Sequence, residues 1–214
     1  MPIYKKKNKC ILFIHIPKTG GSSIETAFRN DGWQEFRFSP SGGEKSQHAI
    51  FDVWSCWREL NNYNFRPGED KIEKIFTVVR DPMDRIRSEI RSSRPSLSSF
   101  EGYTSRLTSY IDAYKKKPSC RDNHIRPQVD YLPPNIADYH LPLRIYYFED
   151  SDHRQEIIER YGLNIDREQF PHITGTGGSA RHVTPWDGKK LPEPIIRSIH
   201  KTYKEDYIKL GYSK

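Results

Sequence analysis

Long apolar runs are missing from this chain. No stretch approaches the ~18 consecutive apolar residues of a membrane-spanning helix. The mean hydropathy of −0.85 reads as that of a polar, soluble protein. No signal peptide is visible: three lysines at positions 5–7 lead into a short apolar run that reads as a strand. Cytoplasm is the expected compartment. Cysteine is scarce. Cys10, Cys56 and Cys120 are scattered, which excludes a disulfide framework and the usual metal spacings. Internal repeats and long low-complexity segments are absent as well. With 214 residues, the expectation is one domain over 1–214 with a proper core, preceded by a short basic tail at residues 1–9. Acidic residues are in deficit. The formal net charge is +7 and the pI about 9.2, which suits anionic ligands. The basic residues are dispersed and no nucleic-acid reader motif occurs, so a nucleic-acid partner is not expected.

What the sequence does have is concentrated in residues 10–28, CILFIHIPKTGGSSIETAF. Residues 10–16 form a short, nearly continuous apolar run, the pattern of a strand buried on both faces. Residues 17–21 are a turn. Ser22 and Glu25 then fit a capping box, with Ser22 as the cap and Glu25 reaching back. Strand, Gly-rich loop and helix in this order make an anion site, because backbone N–H groups and the positive helix end face the loop. It is not the nucleoside-triphosphate loop, G-x-x-x-x-G-K-[ST]. Here Lys18 precedes Gly20 and Gly21.

Two further strands are expected, KIFTVV at 74–79 and LRIYYF at 143–148. After the first comes Arg80, then Asp81 as an N-cap and Pro82 at the first helical position. That helix puts Met83, Ile86 and Ile90 on one face and Arg85, Ser88 and Ser92 on the other. Residues 49–60 carry Ile50, Val53, Trp54 and Trp57 at helical spacing. Residues 100–117 read as an amphipathic helix ending in three lysines, residues 121–134 as irregular, and Gly162 as the stop of a helix running through Tyr161. A closing helix carries Ile195, Ile199, Tyr203, Tyr207 and Leu210. Alternating strands and helices imply an α/β fold: a central, mostly parallel sheet flanked by helices, of P-loop-like nucleotide-binding type. Ligands of such sheets bind at the C-terminal strand ends. Lys18 and Arg80 both sit just past such ends.

PKTGGSS at 17–23 resembles the 5′-phosphosulfate loop of sulfotransferases that use 3′-phosphoadenosine-5′-phosphosulfate (PAPS). It is most similar to carbohydrate sulfotransferases related to heparan sulfate 2-O-sulfotransferase. R-D-P-x-x-R-x-x-S at 80–88 resembles the 3′-phosphate signature of the same enzymes. The resemblance implies PAPS as donor, adenosine 3′,5′-bisphosphate (PAP) as product, and no metal. It gives Thr19, Gly20, Gly21, Ser22 and Ser23 to the 5′ end, and Arg80 and Ser88 to the 3′-phosphate, where a guanidinium supplies a fork of donors. Lys18 becomes the group that stabilises the leaving phosphate. Arg85 ranks lower, paired structurally with Asp81 or Asp84.

A histidine often followed by alanine usually stands between the two motifs in this family, and Gln47-His48-Ala49 matches in place. His48 is thus the candidate general base, with an ordinary pKa near neutrality. His15, inside the first strand, reads as structural, whereas His124 competes for the role. HIRPQVDYL at 124–132 resembles an acceptor-lining segment, which would set His124, Arg126 and Gln128 beside the acceptor. Residues 171–182 fall where the family closes a loop over the nucleotide. Golgi members carry a membrane anchor and stem. This chain has neither, so it reads as a microbial cytoplasmic enzyme or as a catalytic core, and its starting Met favours the former. The expected acceptor is therefore a carbohydrate or another small hydroxylated molecule. Two rival readings remain. One is a small-molecule kinase using Glu149 and Asp150 as metal ligands; the other is a non-catalytic nucleotide- or nucleic-acid-binding protein.

Overall fold

The computed structural model describes residues 2–37, 72–92, 99–132, 143–171, 186 and 188–213. His48, the expected 49–60 helix and residues 172–182 of the expected closing loop lie outside them.

The two apolar runs at 9–14 and 74–79 form neighbouring strands, as their composition requires. Strand β2 (Lys9–Ile14) pairs in parallel with β4 (Lys74–Val79), which pairs in parallel with β5 (Leu143–Tyr147). The expected basic tail is in fact a strand. β1 (Pro2–Lys6) pairs antiparallel with β2, and β3 (Gln34–Arg37) pairs antiparallel with β1. Ile3 and Tyr4 are fully buried on opposite faces, so the lysines that follow them do not decide the segment. The five-stranded sheet, ordered β3-β1-β2-β4-β5, is consequently mixed: parallel across β2-β4-β5, antiparallel at the β1 side.

Side chains alternate across the sheet as the strand period demands. Leu12, Ile14, Ile75 and Val79 pack on one face with Tyr131. Ile11, Phe13, Phe76 and Val78 pack on the other with Phe28 and Tyr161. There Phe13 stacks on Phe76 (4.8 Å between ring centroids) and Phe76 on Tyr161 (4.6 Å). Burial on both faces is the arrangement the unbroken apolar runs predict.

Helix α1 (Gly21–Asn30) follows β2, and α2 (Pro82–Ser92) follows β4. Asp81 caps α2, its Oδ1 accepting from Asp84 N–H at 2.9 Å, and Pro82 opens the helix. The capping box expected at Ser22 and Glu25 does not form. The N-cap of α1 is Gly20, and no side chain caps it. Helix α3 is Phe100–Lys116, capped by Ser99; α4 is His153–Tyr161 and stops at Gly162 in the left-handed conformation. The closing helix is two pieces, α5 (Glu193–Thr202) and α6 (Lys204–Lys209). They break at Tyr203, whose buried hydroxyl donates to the Ile125 carbonyl at 2.8 Å. Helices α2, α3, α5 and α6 share a third apolar cluster built around Ile86, Ile90, Leu107 and Ile199.

Because β2, β4 and β5 run in parallel, their C-terminal ends open on one edge. Residues 15–20, Arg80 and Phe148 meet there.

Candidate active site

The loop after β2 is set by contacts that each residue type makes possible. His15 and Glu25 are both buried, and His15 Nδ1 lies 2.5 Å from Glu25 Oε1. This tertiary partner claims the carboxylate that the local pattern assigns to a capping box. The His15 ring also rests on Gly21, where a Cβ would come 2.1 Å from Nε2. Gly20 has φ +85°, and Lys18 is held at φ +68°. Thr19 is 1% exposed and its hydroxyl donates to the Ile16 carbonyl at 2.9 Å, so that hydroxyl ties the loop together. Ser23 and Ile24 N–H both donate to the Gly20 carbonyl and close the first turn of α1. Ser23 is buried, while Ser22 is exposed.

Lys18 carries the site's electrostatics. Burial pushes its ammonium below the ordinary lysine range; Glu89 opposes the shift, and Arg80 and Arg91 add to it. Burial also lowers the Arg80 guanidinium, with Asp84 acting against it. Arg80 Nη1 reaches the Lys18 carbonyl at 3.4 Å, so the two loops touch. Ser88 is half-buried on α2.

Gln128 does not line an acceptor surface. It is 0% exposed, and its amide pairs with the Arg80 backbone: Nε2 donates to the carbonyl (2.7 Å) and Oε1 accepts from the N–H (2.9 Å). Asp206 on α6 fixes this segment in turn, accepting from the N–H groups of Gln128 (2.9 Å) and Val129 (3.0 Å). Arg85 does not pair with Asp81 or Asp84 either. It is 1% exposed, lies over the Tyr203 ring, and donates to the carbonyls of His124 (3.1 Å) and Arg126 (2.6 Å). Arg126 Nη1 meets Asp130 Oδ2 at 3.3 Å.

Sequence reading misses Glu89. At 2% exposure this carboxylate on α2 lies 2.7 Å from His124 Nδ1 and accepts from Arg121 Nη2 at 3.1 Å. Its charge reaches Lys18 as well. Its place three residues past Ile86 and next to Ile90, on the apolar face of α2, is the signal that could have found it. Arg121, Asp122 and Asn123 before His124 all have positive φ (55°, 51°, 63°). Such a left-handed turn costs about 1–2 kcal/mol per residue. Ties to Glu89, Arg85 and Tyr131, whose hydroxyl donates to the Asn123 carbonyl at 2.6 Å, hold it in place.

Glu149, the metal ligand of the kinase reading, is committed elsewhere: Oε1 accepts from Asp81 N–H (2.8 Å) and Oε2 from Tyr212 Oη (3.1 Å). Among the described residues no group of three or more His, Cys, Asp or Glu could hold a metal, and no helix is long and apolar enough to cross a membrane.

No curated protein and no solved structure matches the chain. A family model described as "Sulfotransferase family" matches residues 2–213. That span takes in the Lys18 loop, the Arg80 joint and the sheet edge on which both stand, and the chain belongs to the sulfotransferase family.

Proposed function

We propose that this protein moves the sulfuryl group of PAPS to a hydroxyl of a carbohydrate or another small hydroxylated acceptor. The observation that carries the reading is the contact between the Lys18 loop and Arg80 at the ends of adjacent parallel strands. One loop serves the 5′-phosphosulfate, through Lys18 and residues 19–23. The other serves the 3′-phosphate, through Arg80 and Ser88. The acceptor oxygen attacks sulfur in line, the bond from sulfur to the 5′-phosphate oxygen breaks, and PAP leaves with the electron pair. Lys18 stabilises the charge growing on that oxygen. His48 takes the proton of the acceptor hydroxyl. His124 and Arg126 stand on the acceptor side, whereas Gln128 acts by fixing the Arg80 backbone. The chemistry asks for no metal, and the enzyme works in the cytoplasm.

Thermal melting with PAP tests this directly. A ligand that binds only the folded state stabilises it by about 2.7 kcal/mol at a hundredfold excess over its dissociation constant. No shift at millimolar PAP refutes the donor. Turnover abolished by EDTA and restored by Mg²⁺ would return the kinase reading.

A further inference from the structure

A guanidinium that must grip a phosphate cannot have its N–H donors occupied by a carboxylate. Arg80 is oriented another way. Its Cζ lies 4.4 Å from the centroid of the Phe148 ring. An aromatic face attracts a cation through its quadrupole and uses none of the cation's donors. Nη1 makes only the long 3.4 Å contact to the Lys18 carbonyl. Nε is buried without a hydrogen-bond partner, and no carboxylate among the described residues forms an ion pair with Arg80.

The same ring bears on the other loop. A Cβ built on Gly20 would sit 3.0 Å from Phe148 Cε2 and 3.3 Å from Cδ2. Phe148 is itself anchored: its N–H donates to the Val79 carbonyl at 2.8 Å, and its ring lies 6.0 Å from that of His153. One side chain therefore touches the bare turn of the Lys18 loop and the face of Arg80 at once.

We propose that Phe148 is a positioning residue for the nucleotide: its ring fixes Arg80 relative to the Gly20 turn and so sets the distance between the two anion sites. The ligand class that reads this spacing is a nucleoside 3′,5′-bisphosphate, in preference to a 5′-monophosphate. The inference rests on the PAPS reading above.

Calorimetric titration of PAP and of adenosine 5′-monophosphate tests it, on wild type, Phe148→Leu and Phe148→Tyr. Leu keeps apolar bulk and loses the π face. It should weaken PAP about tenfold, within the range of a desolvated cation–π contact, and the monophosphate less than about twofold. Tyr should keep the wild-type preference. In an Arg80→Ala background, Phe148→Leu should cost no further PAP affinity, since the ring acts through the guanidinium. An equal loss for both nucleotides, or an undiminished loss in the Arg80→Ala background, overturns the proposal. If the Leu variant does not fold, as judged by its melting curve, Tyr decides: a preference for PAP that falls about tenfold in Tyr also overturns it. Wild type that binds neither nucleotide sinks the PAPS reading and this inference together. Wild type that binds PAP, with unchanged preference in Phe148→Leu, sinks the inference alone.

Discussion

Replacing Gly21 with alanine sets local propensity against tertiary packing. Gly21 opens α1 and its φ is not positive, so propensity alone favours alanine, by about 1 kcal/mol. The His15 ring reverses the sign. The new methyl would lie 2.1, 2.3 and 2.7 Å from Nε2, Cδ2 and Cε1 of a buried ring that cannot swing aside without leaving Glu25. Overpacking a filled site costs about 1–3 kcal/mol, and an overlap of this depth belongs at the upper end. Disturbing the His15–Glu25 contact adds about 1 kcal/mol, though Glu25 keeps Arg29 Nη1 at 3.7 Å. Net of the helical gain, the loss is about 3 kcal/mol. For a chain of this size it lowers the melting temperature by roughly 6–12 °C. Thermal or urea melts read it, with the exposed neighbour Ser22→Ala as control. In a His15→Ala background the penalty should vanish, because the methyl then enters the space of the ring. A Gly21→Ala protein that melts at or above wild type would refute the reasoning.

Arg80→Ala should weaken PAP by about 2–3 kcal/mol and adenosine 5′-phosphosulfate much less, the expected loss of a charge-assisted contact to a 3′-phosphate; equal losses in titration would deny Arg80 that role. His48→Ala should leave PAP affinity unchanged while turnover falls about 10²- to 10⁴-fold, and the loss of rate below about pH 6.5 should disappear with it; a variant with near-normal turnover, or one that keeps the acidic limb, moves the base to His124 or a carboxylate. Burial pushes the Glu89 carboxyl up, but His124, Lys18 and Arg121 outweigh this and hold it below the ordinary range. A carboxylate with a lowered folded value stabilises the fold above its unfolded value, about 4.3, and loses that contribution as pH falls through the folded one. Melts below about pH 4.3 should therefore decline more steeply for wild type than for Glu89→Gln, and parallel curves would count against a stabilising role for the Glu89 contacts to His124 and Arg121.

The parts of this fold that were legible in the sequence depend on neighbours along the chain. The apolar runs of β2, β4 and β5, the Asp81 cap before Pro82 and the glycine stop at 162 are local signals, and each is found where its pattern places it. The Lys18 and Arg80 loops likewise follow β2 and β4 as the strand patterns place them, since a loop at a strand end needs only its own residues to be located. What stayed hidden depends on distant partners. Glu25 fits a capping box until His15, ten residues back, takes its carboxylate. Arg85 reads as a partner of Asp81 or Asp84 until the carbonyls of residues 124 and 126 take its guanidinium inside. Gln128 reads as a recognition side chain until the Arg80 backbone claims both ends of its amide. β1 is hidden by composition, because two apolar residues before a lysine run make too short an alternation to outweigh the charge.

The chain of contacts from Arg80 through Gln128 to Asp206 also orders events in time. A nascent polypeptide that has already made the Lys18 and Arg80 loops and the segment around residue 128 still lacks the carboxylate that holds Gln128 in place. Until α6 has been translated and has docked, the residue whose amide grips the Arg80 backbone on both sides lacks the hydrogen bonds of Asp206. If the protein binds PAPS as proposed, competence to hold it would be acquired late, as α6 seats, and a ribosome-bound chain stalled before residue 206 would carry Lys18 and Arg80 without the carboxylate that fixes Gln128.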